Sequence, residues 1–299
     1  MRPAIRLQGL TKLYGATLGV EGLNLEVATG EVFGFLGPNG AGKTTTIRLL
    51  MDLLRPTAGT LSVLGLDPRR DGVELRRRVG YLPGELALYE DLTAEELLRY
   101  FAALRGGASP FVRSFAERLD LDLTRRIGSL SQGNKRKVGL VAAMMHDPEL
   151  LILDEPTAGL DPLVQAEFHR LIGELRARGR TVFLSSHNLP EVERVCDRVG
   201  VIREGRLVAV EDVGELHARA LREIEINFAG PVPAERFSGL AGVSEAVAEG
   251  DLLRLRVEGS LDLVIKEAAA HTVVNVSTRE PGLEEIFLAF YGKADEDVA

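Results

Sequence analysis

The run Val32-Phe33-Gly34-Phe35-Leu36 leads directly into Gly37-Pro38-Asn39-Gly40-Ala41-Gly42-Lys43-Thr44, and the reading of this junction decides the fold. A short apolar run that ends in a Gly-rich turn reads as a buried strand. Beyond it Thr45, Ile47, Leu49, Leu50 and Leu53 continue with helical spacing. The segment Gly37 to Thr44 matches G-x-x-x-x-G-K-[ST], and it sits between a strand and a helix, the context that gives the motif its meaning. Glycines let successive backbone N–H groups turn inward around phosphate oxygens, and the following helix adds the positive end of its dipole. Lys43 is then placed to bridge the terminal phosphates of a nucleotide and Thr44 to offer a hydroxyl to Mg²⁺.

A second apolar run, Leu150-Leu151-Ile152-Leu153, ends in Asp154-Glu155. In a parallel sheet a buried strand delivers such acids to its C-terminal end, beside the phosphate loop. Asp154 can hold Mg²⁺ through water, and Glu155 can orient or deprotonate an attacking water. Paired acids after a strand more often start a loop or cap a helix; the phosphate loop is what favours function here. A third run, Thr181-Val182-Phe183-Leu184, precedes Ser185-Ser186-His187. Apolar runs separated by helices indicate a mostly parallel sheet covered on both faces.

Between these runs, Leu130-Ser131-Gln132-Gly133-Asn134 resembles the signature of the ATP-binding cassette ATPases, which commonly reads Leu-Ser-Gly-Gly-Gln. With the phosphate loop and the acidic strand, the chain resembles that family over about residues 3–217. The resemblance implies a P-loop NTPase fold with an antiparallel β subdomain and a helical insertion, binding ATP and Mg²⁺. It places Gly37, Pro38, Asn39, Gly40, Ala41, Gly42, Lys43, Thr44 and Thr45 on the nucleotide, Thr44 and Asp154 on the metal, and Glu155 and His187 in catalysis. It also implies that Ser131 and Gly133 meet the γ-phosphate held by an opposite subunit. Physically, these two lie at a helix N-terminus, where anions are favoured. Pro156-Thr157-Ala158-Gly159-Leu160-Asp161 resembles the loop that crosses the dimer interface, and Tyr14 resembles the aromatic that stacks on adenine.

One position departs from the family. After Val79-Gly80-Tyr81-Leu82-Pro83 the family carries Gln or Glu, whereas this chain has Gly84 followed by Glu85. Either Glu85 supplies the contact to Mg²⁺ and water, or the contact is missing.

Around the nucleotide machinery the pattern changes twice. Over about residues 86–140 the character is helical: Thr93 and Glu96 form a capping box ahead of Leu97, Leu98, Phe101 and Leu104, and Ser109-Pro110 opens a helix with Phe111, Phe115 and Leu119. From about residue 218 to 299, Ile224, Ile226 and Phe228 alternate with Glu225 and Asn227, and Leu253, Leu255 and Val257 with Arg254 and Arg256. Helices are expected at about 261–270 and 282–291. This tail reads as a small α+β accessory domain after an ATPase domain of residues 1–217. Its end, Glu280-Pro281-Gly282-Leu283-Glu284-Glu285-Ile286-Phe287, resembles that of exporter ATPases of the antibiotic-resistance kind; Leu283, Ile286, Phe287 and Phe290 alone read as the apolar face of a helix.

Composition narrows the partners. The 299 residues suit one large or two unequal domains, and a formal net charge of -8 argues against a dedicated nucleic-acid binder. The single cysteine, Cys196, suits a reducing compartment. No apolar stretch approaches the ~20 residues of a membrane span, and the N-terminus lacks the apolar core of a signal peptide. The expectation is a soluble ATP-hydrolysing subunit that works as a homodimer or heterodimer of cassettes. It would drive a separately encoded membrane permease from the cytoplasmic face and export drugs, antibiotics or lipid-like compounds.

Overall fold

The computed structural model describes residues 3–107, 109–219 and 221–279, in two compact units, Met1–Glu211 and Asp212–Ala299. Among the described residues, no helix is long and apolar enough to cross a membrane.

The first unit opens with a hairpin, β1 (Ile5–Tyr14) and β2 (Thr17–Val27). Strand β3 (Val32–Leu36) follows and leads through the phosphate-loop segment into helix α1 (Lys43–Leu50). Next come β4 (Ala58–Val63), helix α2 (Gly72–Arg78) and β5 (Val79–Leu82). The helical block holds α3 (Ala94–Leu104), α4 (Val112–Arg118) and α5 (Gln132–Met144). Then β6 (Leu150–Asp154), α6 (Pro162–Ala177), β7 (Thr181–Ser186) and α7 (Leu189–Val195) lead to β8 (Arg198–Arg203) and β9 (Arg206–Asp212).

The apolar runs read from the sequence become the centre of a six-stranded sheet ordered β5-β6-β7-β3-β8-β9. Strands β5, β6, β7, β3 and β8 pair in parallel, in a register that sets Leu36 beside Ser186 and Asp154 beside Ser185. Every residue of β3, β6 and β7 is buried, as a sheet covered on both faces requires. Because parallel neighbours all end on the same side, the C-terminal ends of β3, β6 and β7 bring three distant segments to one edge. A separate antiparallel sheet, β2-β1-β4, shares the core of Phe33, Phe35, Ile47, Leu50 and Phe183.

The capping box is present at α3, with Thr93 Oγ1 accepting from Glu96 N and Glu96 Oε2 accepting from Thr93 N at 2.8 Å. The phosphate-loop glycines have two different steric reasons. At Gly37 an added Cβ would lie 2.3 Å from the Ile202 carbonyl oxygen, so backbone would have to move. Gly42 has φ 110 at the N-cap of α1, a conformation that side chains disfavour.

The second unit begins with α8 (Val213–Arg219) and β10 (Leu221–Phe228). It continues with α9 (Glu235–Ser238), β11 (Val243–Glu249), β12 (Leu252–Glu258), α10 (Asp262–Ala268) and β13 (Val273–Arg279). Its four strands form an antiparallel sheet, β11-β12-β10-β13. The alternation seen in the sequence is expressed directly: Ile224, Ile226, Leu253, Leu255 and Val257 face a core with Phe237 and Val264. On the other face Arg254 pairs with Glu225 at 3.0 Å and Arg256 with Glu223 at 3.3 Å. Being exposed, such pairs add little stability each. The expected helix over 282–291, with Leu283, Ile286, Phe287 and Phe290, lies outside the described residues.

Candidate functional site

The site forms where β3, β6 and β7 end. Lys43, the first residue of α1, is buried; its Nζ donates to the carbonyls of Gly37 (2.5 Å) and Pro38 (3.2 Å). The same Nζ lies 3.2 Å from Glu155 Oε1, an ion pair without the alignment of a hydrogen bond, so Oε1 keeps its acceptor capacity. Thr44 Oγ1 donates to Asp154 Oδ2 at 2.8 Å. Ser185 Oγ donates to Asp154 Oδ1 at 2.6 Å and accepts from Glu155 N at 3.0 Å. Asp154 is fully buried, and both of its oxygens are occupied by hydroxyls, which suits a carboxylate held in place for a cation.

Glu155 follows at the strand end with φ 51, in the left-handed region. For a residue with a side chain this conformation costs on the order of 1–3 kcal/mol and persists only where the surroundings hold it. Here they do: Glu155 N donates to both the main-chain and side-chain oxygens of Ser185, and Glu155 O accepts from Arg136. The carboxylate thereby turns back between Lys43 and His187, whose Nδ1 lies 2.8 Å from Oε2. His187 itself is exposed, beyond the end of β7.

The residues fit a hard divalent cation. Thr44 and Asp154 offer only oxygens, the donor type Mg²⁺ prefers, and Thr44 already hydrogen-bonds Asp154. Among the described residues no group of three or more His, Cys, Asp and Glu side chains could hold a metal alone. A Mg²⁺ held by Thr44 and Asp154 would need its remaining ligands from phosphate and water, as is usual for this ion.

Ser131 is the N-cap of α5, accepting from Asn134 N at 3.3 Å. A Cβ on Gly133 would lie 2.5 Å from the Gly159 carbonyl oxygen, so the signature turn rests on the backbone of the loop after Glu155. In that loop Asp161 caps α6, accepting from Leu163 N and Val164 N, and these bonds, that of Val164 first, hold its carboxyl below the usual range. Among the described residues, neither Ser131 nor Gly133 shares a hydrogen bond with the phosphate loop of its own chain. Tyr14 closes β1 half-exposed, with its hydroxyl 3.4 Å from Thr45 Oγ1, its ring edge against Gly19, and the Lys12 ammonium 5.4 Å from the ring centre.

At the departure from the family pattern, Glu85 is exposed and makes no hydrogen bond or ion pair within the described residues. A Cβ on Gly84 would sit 2.9 Å from Asp154 Oδ2, so the loop passes close to the acid as bare backbone.

Three site residues had no role in the sequence reading. Ser185 looked like part of a strand end. Glu191, on α7, accepts from Ser186 Oγ (2.6 Å) and Thr157 Oγ1 (2.8 Å), tying the strand before His187 to the loop after Glu155. Burial raises its pKa against the effect of those bonds. Arg136 lies in the basic run Lys135-Arg136-Lys137, and both it and Lys137 are buried. Only the capping pattern Asn188-x-x-Glu191 gave a local signal for Glu191, with Asn188 Oδ1 accepting from Glu191 N.

Known proteins resemble this chain in sequence and in fold. The profile of the family described as "ABC transporter" matches residues 20–158. A fluoroquinolones export ATP-binding protein of Mycobacterium tuberculosis is 35% identical over 97% of this chain and 93% of its own length. A bacitracin transport ATP-binding protein of Bacillus licheniformis is 35% identical, with 98% of each chain covered. A Nod factor export ATP-binding protein of Paraburkholderia xenovorans is 38% identical over 98% of this chain and 99% of its own. Among solved structures, an ATP-binding subunit of an ABC transporter superposes with TM-score 0.67 and 32% identity, covering 72% of this chain and 92% of that one. A dimeric ATP-binding cassette bound to ADP and phosphate after hydrolysis shares the fold, with TM-score 0.64 and 22% identity over 70% of this chain and 98% of its own.

Proposed function

The chain belongs to the ABC transporter family as an ATP-binding, ATP-hydrolysing subunit, and from that premise we propose that it powers an exporter through ATP-dependent pairing of two cassettes. One observation carries the proposal: Lys43, Thr44, Asp154, Glu155, Ser185 and His187, drawn from three strand ends, converge in one hydrogen-bonded cluster. In this reading residues 1–217 are the ATPase domain and 218–299 an accessory domain.

The residues divide the chemistry as follows. The backbone N–H groups of Gly37 to Thr45 enclose the phosphates, and the Lys43 ammonium moves from its carbonyl partners to the β- and γ-phosphate oxygens. Thr44 and Asp154 would hold Mg²⁺, whose positive charge offsets the charge that develops on the phosphates. Tyr14 offers its ring to adenine. The free acceptor capacity of Glu155 Oε1 suits a water aligned with the γ-phosphate. As the water oxygen bonds phosphorus and the bond to the ADP oxygen breaks, Glu155 takes the water's proton, while His187 holds the other carboxylate oxygen in place. Products are ADP and inorganic phosphate.

Ser131 and the Gly133 backbone, at the start of α5, are then free to meet the γ-phosphate of a second cassette. ATP between two copies would close the pair and its hydrolysis would open it. A groove whose apolar side chains Val73, Tyr81, Phe101 and Leu104 are flanked by Arg76, Arg77 and Arg105, with Val73 and Leu104 among the most exposed large side chains, supports docking of a membrane permease on this unit. Location on the cytoplasmic face of a membrane follows from that partner. Export, of drug-like or lipid-like molecules, rests on the relatives named above.

The test is Glu155→Gln in the full chain. It should bind ATP, associate in an ATP-dependent manner in sedimentation, and show no turnover; retained turnover removes Glu155 from its role. A tagged chain should also bring down a polytopic membrane protein from detergent extracts. Ribosomes or nucleic acid alone in that pull-down would contradict the transport reading.

A further inference from the structure

Arg136 lies one turn into α5, with 5% of its surface exposed. Among the described residues its guanidinium faces no carboxylate at ion-pair distance. Instead Nη1 donates to the carbonyls of Pro83 (2.9 Å) and Gly84 (2.8 Å), and Nη2 to those of Asp154 and Glu155. Nε is buried without a partner. A buried cation costs several kcal/mol unless good acceptors surround it, so a charge kept here for packing alone is an expensive choice. Four converging carbonyls from two loops make it a fitted one. The planar fork of arginine can address two loops at once, which lysine cannot do.

We infer that Arg136 is a positioning residue for hydrolysis: by holding the Glu155 carbonyl it keeps Glu155 in its left-handed conformation and so aims its carboxylate. Glu155 N is already held by Ser185, and Arg136 holds the other side of the same residue. With both peptide groups fixed, φ 51 is the conformation that directs the side chain between Lys43 and His187. Without the guanidinium the strained residue relaxes and the carboxylate swings away.

The same fork reaches the Gly84 loop. There the backbone carbonyl of Gly84 takes the guanidinium, and Gly84 itself lies where any side chain would press on Asp154. The helix that carries Arg136 is capped by Ser131, so the part of the chain offered to a second cassette and the part that hydrolyses are joined by one side chain. This inference rests on the reading of Glu155 as the base.

The experiment compares Arg136→Met and Arg136→Lys with the parent chain for kcat, KM, direct ATP binding and thermal unfolding. A carboxylate displaced by about 1 Å loses on the order of 100-fold in rate. Arg136→Met should therefore lose about that much in kcat with ATP affinity unchanged, and Arg136→Lys, which keeps the charge but reaches fewer carbonyls, should fall between. Unchanged kcat in Arg136→Met overturns the inference, as does a loss of ATP affinity that matches the loss of kcat. Should Arg136→Met not fold, a normal kcat in Arg136→Lys overturns it and a reduced kcat with normal ATP affinity supports it. Failure of the underlying reading shows separately, as retained turnover in Glu155→Gln.

Discussion

His187 Nδ1 lies 2.8 Å from Glu155 Oε2, and the other oxygen of the same carboxylate faces Lys43 Nζ at 3.2 Å. The acid is thus held from both sides, by the residue just beyond β7 and by the first residue of α1. His187→Ala should leave ATP binding intact and slow turnover on the order of 100-fold, because the carboxylate loses one of its two anchors. A steady-state assay with a parallel binding titration checks this; an equal loss in both would assign His187 to binding instead.

Lys43→Ala removes a buried ammonium whose three partners are two carbonyls and a carboxylate. A hydrogen bond to a charged group is worth about 1.5–3 kcal/mol, so ATP should bind roughly 10- to 100-fold more weakly. Isothermal titration with ATP reads this directly.

Ser185→Ala leaves Asp154 Oδ1 without its 2.6 Å donor and Glu155 N with only the Ser185 carbonyl. An unsatisfied buried acceptor costs about 1–3 kcal/mol, so the midpoint of chemical denaturation should fall. The Mg²⁺ concentration for half-maximal hydrolysis should rise as well, since Asp154 loses its orientation.

Gly84→Ala places a Cβ 2.9 Å from Asp154 Oδ2, which is already engaged by Thr44. Asp154 must shift. The expected result is a higher Mg²⁺ concentration for half-maximal activity with little loss of stability, read by titrating Mg²⁺ at fixed ATP and by thermal unfolding. Unaltered Mg²⁺ response would mean that the carboxylate yields without consequence.

A pH effect follows from His146, far from the nucleotide chemistry in role. Burial, together with the Arg105 charge, lowers its pKa to about 4 from the ordinary 6.5. Arg105 Nη1 donates to His146 Nε2 at 3.0 Å, which requires a neutral ring. The unfolded chain takes up a proton below about pH 6.5 that the folded chain refuses until about 4, so stability is full above the upper value and falls between the two. Allowing for solvent screening of a partly exposed ring, the loss is about 2 kcal/mol. Unfolding temperatures should therefore decline from pH 6.5 to 4 more steeply in the parent than in His146→Gln.

Much of this was legible in the residue order, for identifiable reasons. The strands Val32–Leu36, Leu150–Asp154 and Thr181–Ser186 announce themselves because strands buried on both faces must be apolar throughout. The phosphate loop is equally local: its glycines answer to φ 110 at Gly42 and to the Ile202 backbone against Gly37. The alternation of Ile224 and Ile226 with Glu225 announces a half-buried strand by the same logic.

The sequence by itself determined the buried strands β3, β6 and β7, the glycine-rich turn with its phosphate-loop motif and the acids that end β6, because each depends on neighbours a few residues away. Only the tertiary structure decided that Arg136 leaves a basic run to bind the carbonyls of Gly84 and Glu155, and that Ser185 holds Asp154 and Glu155 together. Those contacts join residues 19 to 52 positions apart. Their partners are mostly backbone atoms, which every residue carries, so no pattern of side chains could have announced them.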